Sequence, residues 1–279
     1  MKTINNKIIK RFEEFLYEEE RSNNTIEKYM RDIRFFCEWL GRRKIEKSVV
    51  VEYKKELCDR YAIKSVNSML SSINAFFVFT GRCDLKVKTL KIQRQIFADK
   101  SKELSKAEYE RLLNAAKDKK NERLYYLMQT IASTGLRVSE IKYVTCEAVR
   151  QGQAVINCKG KIRQIFLPKK LCQMLKEYIK SRNIKSGSVF ITRSGRPLDR
   201  CAIWKMLKDL CESAGVSKDK VFPHNFRHLF ARTFYSLQKD IVRLADILGH
   251  SSVETTRIYT MESGTEHIKQ LQKLGLLRC

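Results

Sequence analysis

Proline is scarce in this 279-residue chain, with only three, and its 11 glycines are too few for a collagenous or low-complexity polymer. No stretch approaches the roughly 18 consecutive apolar residues that a membrane-spanning helix needs, and no internal repeat recurs. The nine cysteines stand singly, without a CxxC pair or a histidine at zinc-ligand spacing. A disulfide framework and a zinc module are both disfavoured, and the thiols read as small core residues. Missing too are GxxxxGK[ST], GxGxxG and any cluster of metal-binding acids, so no cofactor and no metal site is expected. The opening MKTINNKIIKRFEEF carries too many acids for a secretory or transit peptide, and a cytoplasmic protein is expected.

Acidic residues are the other shortage: 31 Asp and Glu face 56 Lys and Arg, a formal charge of +25. A folded protein with that excess repels itself, and the repulsion is relieved by a polyanion whose counterions are released on contact. Nucleic acid fits this better than an anionic membrane surface. Hydrophobic residues make up 43% of the chain, enough for a packed core. The basic excess is 21 against 13 acids in residues 1–97 and 35 against 18 in residues 98–279, so both halves are expected to touch the partner.

The apolar pattern predicts four helices between residues 6 and 80, with Ile8, Phe12, Phe15 and Leu16 on the first, Ile26, Tyr29, Ile33, Phe36 and Leu40 on the second, Val49, Val50, Tyr53 and Leu57 on the third, and Val66, Met69, Leu70, Ile73, Phe76 and Phe77 on the last. Residues 1–84 therefore read as a helical domain. The basic, weakly periodic run over 85–101 reads as a linker. A second domain over 102–260 opens at Ser105, whose hydroxyl with Glu108 has the form of a capping box. Helices are predicted at about 106–117 and 121–132. Two β-rich runs in 154–167 flank a Lys159-Gly160-Lys161 turn, and helices resume at 169–182 and after Asp199. The fold class is mainly α with a small β-sheet in the second domain. Residues 261–279 form a tail with an apolar stripe of Ile268, Leu271, Leu274 and Leu277.

Taken one at a time, the chemistry-bearing residues also read as ordinary surface or packing groups. Arg137 follows a glycine in STGLRVSEI at the start of a helical pattern. Lys159 sits at a hairpin tip. His224 and Arg227 share a face just after Pro223. His250 follows a helix-ending Leu248-Gly249, and Tyr259 lies in SSVETTRIYT, where Ser251 and Glu254 are placed to cap a short helix. Their combination is another matter. Three of the four histidines fall between His224 and His250. Two guanidiniums suit the non-bridging oxygens of a phosphodiester, an ammonium can protonate a leaving alkoxide, imidazoles can move a nucleophile's proton, and a phenol can attack phosphorus.

In order and spacing these blocks, STGLRVSEI, CKGKIRQIFLP, PHNFRHLFA and LGHSSVETTRIYT, resemble the tyrosine recombinases, or phage integrases, and most closely their short Xer-like members. The resemblance covers nearly the whole chain, with FLYEEERSNNTIEKYMRDIRFF similar to the opening of the family's core-binding domain. It implies that Arg137 and Arg227 clamp the scissile phosphate, that Lys159 is the general acid for the 5′ oxygen with Lys161 as the competing hairpin lysine, that His224 and His250 assist, that Glu140 orients Arg137, and that Tyr259 is the nucleophile. It further implies a two-domain, C-shaped clamp on double-stranded DNA and a homo-tetramer on two duplexes, in which the tail docks on a neighbouring protomer. A monomer in solution, a hetero-partner and a tail folded back in cis stay open. Thr25, Lys28, Arg31, Lys64, Asn67, Lys161 and Arg163 are candidate DNA contacts. Two rivals remain at this point: a type IB topoisomerase with the same chemistry, and a DNA-binding protein without catalysis.

Overall fold

A computed structural model of the chain describes residues 4–91, 100–158, 161–259 and 272, in two compact units, Met1–Arg94 and Gln95–Cys279. Both are mainly helical, and among the described residues a single antiparallel strand pair lies in the second, the mainly α fold with a small sheet that the sequence implies. No helix of the described residues is long and apolar enough to cross a membrane.

The first unit packs α1 (Asn6–Glu18), α2 (Asn23–Leu40), α3 (Lys47–Arg60) and α4 (Ile63–Phe79) around one apolar cluster. Phe12, Ile33, Phe36, Val50, Val66, Leu70 and Ile73 are all fully buried, and Phe12 meets Phe76 edge to face at 5.2 Å between ring centres. Burying each such side chain stabilises the unit by about 2 kcal/mol. One carboxylate is buried among them. Asp32 on α2 accepts from the Ser72 hydroxyl of α4 at 2.8 Å and pairs with Lys28 one turn back at 2.9 Å. Lys28 Nζ also donates to Ser72 Oγ and to the Ser68 carbonyl, so the lysine joins α2 to α4.

Two asparagines two turns apart on α4 hold the chain that leaves this unit. Asn74 donates to the Val87 carbonyl and accepts from the Val87 amide, at 2.8 and 3.0 Å. Asn67 does the same to Leu90, at 2.9 and 2.7 Å. An amide side chain carries a donor and an acceptor side by side, so each mimics a strand neighbour for one residue of extended backbone.

In the second unit α5 (Lys106–Asp118) starts with the expected capping box: Ser105 Oγ accepts from the Glu108 amide at 3.1 Å, and Glu108 accepts from the Ser105 amide at 2.8 Å. There follow α6 (Glu122–Thr134), a 3₁₀ segment Val138–Tyr143, α7 (Cys146–Gln151), strands β1 (Gln153–Cys158) and β2 (Lys161–Phe166), α8 (Lys169–Ser181), α9 (Arg200–Leu210), α10 (Pro223–Gln238), α11 (Ile241–Leu248) and the short α12 (Val253–Thr256). In the strand pair Ala154 opposes Ile165 and Ile156 opposes Arg163, with Ala154, Ile156 and Ile165 in the core and Val155, Ile162 and Phe166 on the outer face. Helix α10 is moored to the segment entering the unit by Asn225, which donates to the Lys102 carbonyl, and by Arg232, which pairs with Glu103.

Two local expectations change. Ser252, not Ser251, caps α12, its hydroxyl accepting from the Glu254 amide, because Ser252 is the residue with extended backbone. Not all the cysteines are core residues: Cys146, Cys172 and Cys211 are buried and Cys37 half-buried, but Cys58, Cys83 and Cys201 face solvent.

Candidate active site

The site is organised by the C-terminal end of α11. The last carbonyls of any helix lack intrahelical partners and carry the negative end of its dipole. Here the last two, and the carbonyl of the Gly249 that follows them, each receive a guanidinium from a different element. Arg163 of β2 donates to the Ile247 carbonyl at 2.8 Å, Arg227 of α10 to the Leu248 carbonyl at 2.8 Å, and Arg137, just before the 3₁₀ segment, to the Gly249 carbonyl at 3.3 Å.

Two glycines make this convergence possible. Gly135 ends α6 at φ +65°, and a Cβ there would lie 2.5 Å from Phe230 and 2.9 Å from Leu248, so α6 meets α10 and α11 too closely for any side chain. Gly249 ends α11 at φ +63°, and its Cβ would lie 2.5 Å from the Arg163 Cδ. Both positions need a left-handed conformation and space for a neighbour, and glycine supplies both.

Arg227 is 1% exposed, the largest fully buried side chain of the described residues. Its Nη1 donates to the Gly135 carbonyl at 2.5 Å, and its Nη2 also contacts His250 Nε2 at 2.8 Å. A guanidinium only donates, so His250 Nε2 accepts, and the ring's proton sits on Nδ1, which donates to Thr256 Oγ1 at 2.8 Å. His250 is thus a neutral imidazole. Burial and the neighbouring Arg227, Arg137 and Arg163 push its pKa down to about 4. Burial and Arg137 lower the pKa of Arg227 itself to about 10, which leaves it charged at neutral pH. Among the described residues no carboxylate forms an ion pair with Arg227.

Among the described residues the one carboxylate of the site is Glu140, 3% exposed. It accepts from the Arg137 amide at 2.8 Å, from Arg137 Nη1 at 3.1 Å and from Arg163 Nη2 at 2.5 Å. Its reach back to the Arg137 amide tightens this stretch into a 3₁₀ turn where the sequence suggests an ordinary helix start. Three guanidiniums therefore share one negative charge, and Arg137, with its side chain 40% exposed, carries the excess toward solvent. Such a surplus selects an anion.

Tyr259 closes the constellation from the chain beyond α12. It is 4% exposed, packs with Ala231, Leu244 and Leu248, and stands between two imidazoles, edge to face with His228 at 4.7 Å and stacked on His250 at 6.0 Å. Its phenol oxygen lies beside the Arg227 guanidinium and works to raise that group's pKa. His224, in the first turn of α10, reaches solvent and meets His228 at 4.4 Å; desolvation, Arg227 and Arg137 all hold its pKa below the ordinary value. Burial and His224 press His228 to about 4. His228 is absent from the sequence-derived set, although its i+4 spacing from His224 places it on the same face.

The other candidates divide. Lys159 lies outside the described residues, and Lys161 is placed only as the first residue of β2. Three expected DNA contacts have partners within their own unit: Lys28 pairs with Asp32, a buried carboxylate that needs a cation, Asn67 bonds the extended backbone of Leu90, and Arg163, on the inward face of its strand, bonds Glu140 and the Ile247 carbonyl. Thr25 is half-buried and bonded to Ser22, whereas Arg31 and Lys64 are exposed.

Residues 102–266 match the phage integrase family, and residues 9–82 match the N-terminal SAM-like domain of phage integrases. The chain belongs to the phage integrase family. Among its relatives, the tyrosine recombinase XerA of Thermococcus kodakarensis is 30% identical over 284 residues, covering 98% of this chain and 96% of that protein. A crystal structure of XerA recombinase superposes with a TM-score of 0.53 at 26% identity, over 98% of this chain and 99% of the other. A lambda integrase dimer bound to a core site shares the fold at a TM-score of 0.74 and 17% identity, over 92% and 95% of the two chains. This phage integrase family member is accordingly a tyrosine-type site-specific recombinase, and a topoisomerase or a non-catalytic DNA-binding protein is not favoured.

Proposed function

We propose that the chain cuts and rejoins duplex DNA through a 3′-phosphotyrosine ester on Tyr259. What carries this reading is the gathering of Arg137, Arg227, His250 and Tyr259 at one helix end, with more guanidinium charge than carboxylate. Arg137 and Arg227 take the non-bridging oxygens of the scissile phosphate. Their charge is fixed before the reaction, so it stabilises the pentacoordinate transition state without reorganisation. The phenol oxygen of Tyr259 attacks phosphorus, the bond from phosphorus to the 5′ oxygen breaks, and one phosphodiester is exchanged for another at little net energy.

Two protons move. The phenol's leaves to an imidazole, and His224, kept neutral by its lowered pKa, is the acceptor at the solvent edge. The 5′ oxygen takes one from Lys159. His250 is already an acceptor for Arg227 and holds that guanidinium in place. Rejoining runs the steps backward with a 5′ hydroxyl from the partner strand.

The DNA-facing surface includes Arg31, Lys64 and Thr25 from the first unit, which clamps the duplex together with the second. The working assembly is a homo-tetramer on two duplexes, and it acts on DNA in the cytoplasm; the tail over 261–279, expected to dock on a neighbouring protomer, lies outside the described residues apart from residue 272. Solved relatives include a lambda integrase tetramer bound to a Holliday junction.

The test uses a nicked suicide duplex carrying the site that the protein itself selects from a randomised duplex pool. A slow-migrating covalent adduct on a denaturing gel is expected for the unaltered chain and is absent for Tyr259→Phe, with duplex binding retained. Arg137→Ala binds but cleaves about 10²-fold or more slowly. An adduct that survives Tyr259→Phe refutes the assignment.

A further inference from the structure

Arg163 stands where the hairpin, the 3₁₀ turn and the end of α11 meet. Its guanidinium forks, with Nη2 on Glu140 Oε2 and Nη1 on the Ile247 carbonyl, and its side chain is 16% exposed. The aliphatic stem lies against Gly249, in the space a side chain at that position would need. Glu140 holds Arg137 through its other oxygen, and Arg137 returns to the Gly249 carbonyl. The contacts therefore close into a ring running from Arg163 through Glu140 and Arg137 to residues 247–249, from whose carbonyls and next residue, His250, Arg227 is also held.

We propose that Arg163 is a positioning residue for DNA cleavage, one that sets both phosphate-binding guanidiniums in register without touching DNA. The inference rests on the reading of Arg137 and Arg227 as the phosphate clamp. Its physical content is competition and geometry together. Arg163 draws on the single carboxylate, so Arg137 is not fully neutralised by Glu140 and keeps charge for a phosphate. By gripping the Ile247 carbonyl it also fixes the turn that sets Arg227 and His250. Without Arg163, Glu140 is free to pair with Arg137 alone, and the turn loses its tie to β2.

The test compares Arg163→Met, Arg163→Lys, Glu140→Gln and the Arg163→Met/Glu140→Gln pair on the self-selected suicide duplex. Binding, its salt dependence and the rate of adduct formation at saturating protein are measured separately. Arg163→Met is expected to bind with unchanged affinity and salt slope yet form adduct about 10- to 100-fold more slowly, the scale of a misplaced catalytic group. Arg163→Lys, which keeps the charge but not the fork, falls between. The double variant is expected to be no slower than the slower single one, because both break the same ring. If Arg163→Met is unfolded by circular dichroism, Arg163→Lys carries the comparison. The inference is overturned by unchanged adduct rates in the folded variants, by a weakened affinity with the salt slope reduced by about one, which would make Arg163 a phosphate contact, or by losses that multiply in the double variant. Absence of any adduct in the unaltered chain takes down the recombinase chemistry and this inference together, whereas unchanged Arg163 variants beside an active parent remove this inference alone.

Discussion

Gly249→Ala isolates the cost of crowding the helix end where the guanidiniums meet. Two contributions add. Alanine at φ +63° carries the left-handed backbone penalty of about 1–2 kcal/mol. Its Cβ would also lie 2.5 Å from the Arg163 Cδ, and relief requires the side chain to leave Glu140 and Ile247. Breaking a buried ion pair of this kind costs up to about 3–5 kcal/mol. Gly152→Ala is the matched control, since Gly152 ends α7 at φ +74° with nothing within 4 Å of a built Cβ. The control should lose the backbone penalty alone, whereas Gly249→Ala should lose roughly 2–4 kcal/mol more, an extra fall in Tm on the order of 10 °C for a domain of this size. Thermal unfolding followed by circular dichroism measures both. Suicide-duplex cleavage should fall with Gly249→Ala and stay near the parent rate with Gly152→Ala. Equal falls in Tm for the two variants would refute the reasoning, for they would mean that Arg163 does not occupy the space beside Gly249 at any energetic cost.

How far the sequence reveals this site depends on what each residue answers to. Arg137, His224, Arg227, His250 and Tyr259 stand out as candidates because phosphodiester chemistry restricts residue types, and each sits in a short segment punctuated by glycine or proline. The helical core is legible for a similar reason: Phe12, Ile33, Phe36 and Leu70 recur at helical spacing, and all are fully buried. Arg163 is half legible. Strand alternation places it on the same face as Ile165 and opposite Ile156, both core residues, so an inward arginine follows from the period of two; the cue is obscured because Ile162 and Phe166, on the outer face, are apolar as well. Lys28 and Asp32 show the limit more sharply. Their i,i+4 spacing announces a pair, but Asp32 is buried by Ser72, forty positions away, and no local pattern carries that distance. The same holds for Asn67 and Asn74, whose partners are backbone groups of Leu90 and Val87, and for the C-terminal carbonyls of α11, which have no side-chain signature at all. Function here is written in side-chain types, while the scaffold that aims them is built mostly from main-chain acceptors.

Acid should weaken the fold through the two imidazoles beside Tyr259. His228 and His250 have folded-state pKa values of about 4 against an ordinary 6.5, so the unfolded chain binds more protons between those values; the stability they contribute is complete above about pH 6.5 and is lost as pH falls toward 4. Tm measured from pH 7.5 to 4.5 should decline, and His228→Phe, which removes one titrating ring while keeping an aromatic against Tyr259, should flatten the decline; an unchanged slope in that variant would contradict it. The basic residues of the first unit should separate into two kinds. Arg31 and Lys64 are exposed, so replacing either with alanine should weaken binding to any duplex and reduce the slope of log affinity against log salt by about one. Lys28 is equally basic but already spent on Asp32 and Ser72. Lys28→Met should therefore leave the salt slope unchanged and instead destabilise the helical unit by up to about 3 kcal/mol, because Asp32 keeps its burial and loses its nearer cation, with only the exposed Arg31 left at 3.8 Å. The two measurements are independent, since one counts phosphates neutralised and the other the energy of folding. A Lys28→Met protein with parental stability and a shallower salt slope would place that ammonium on DNA and overturn the assignment of its charge to the interior.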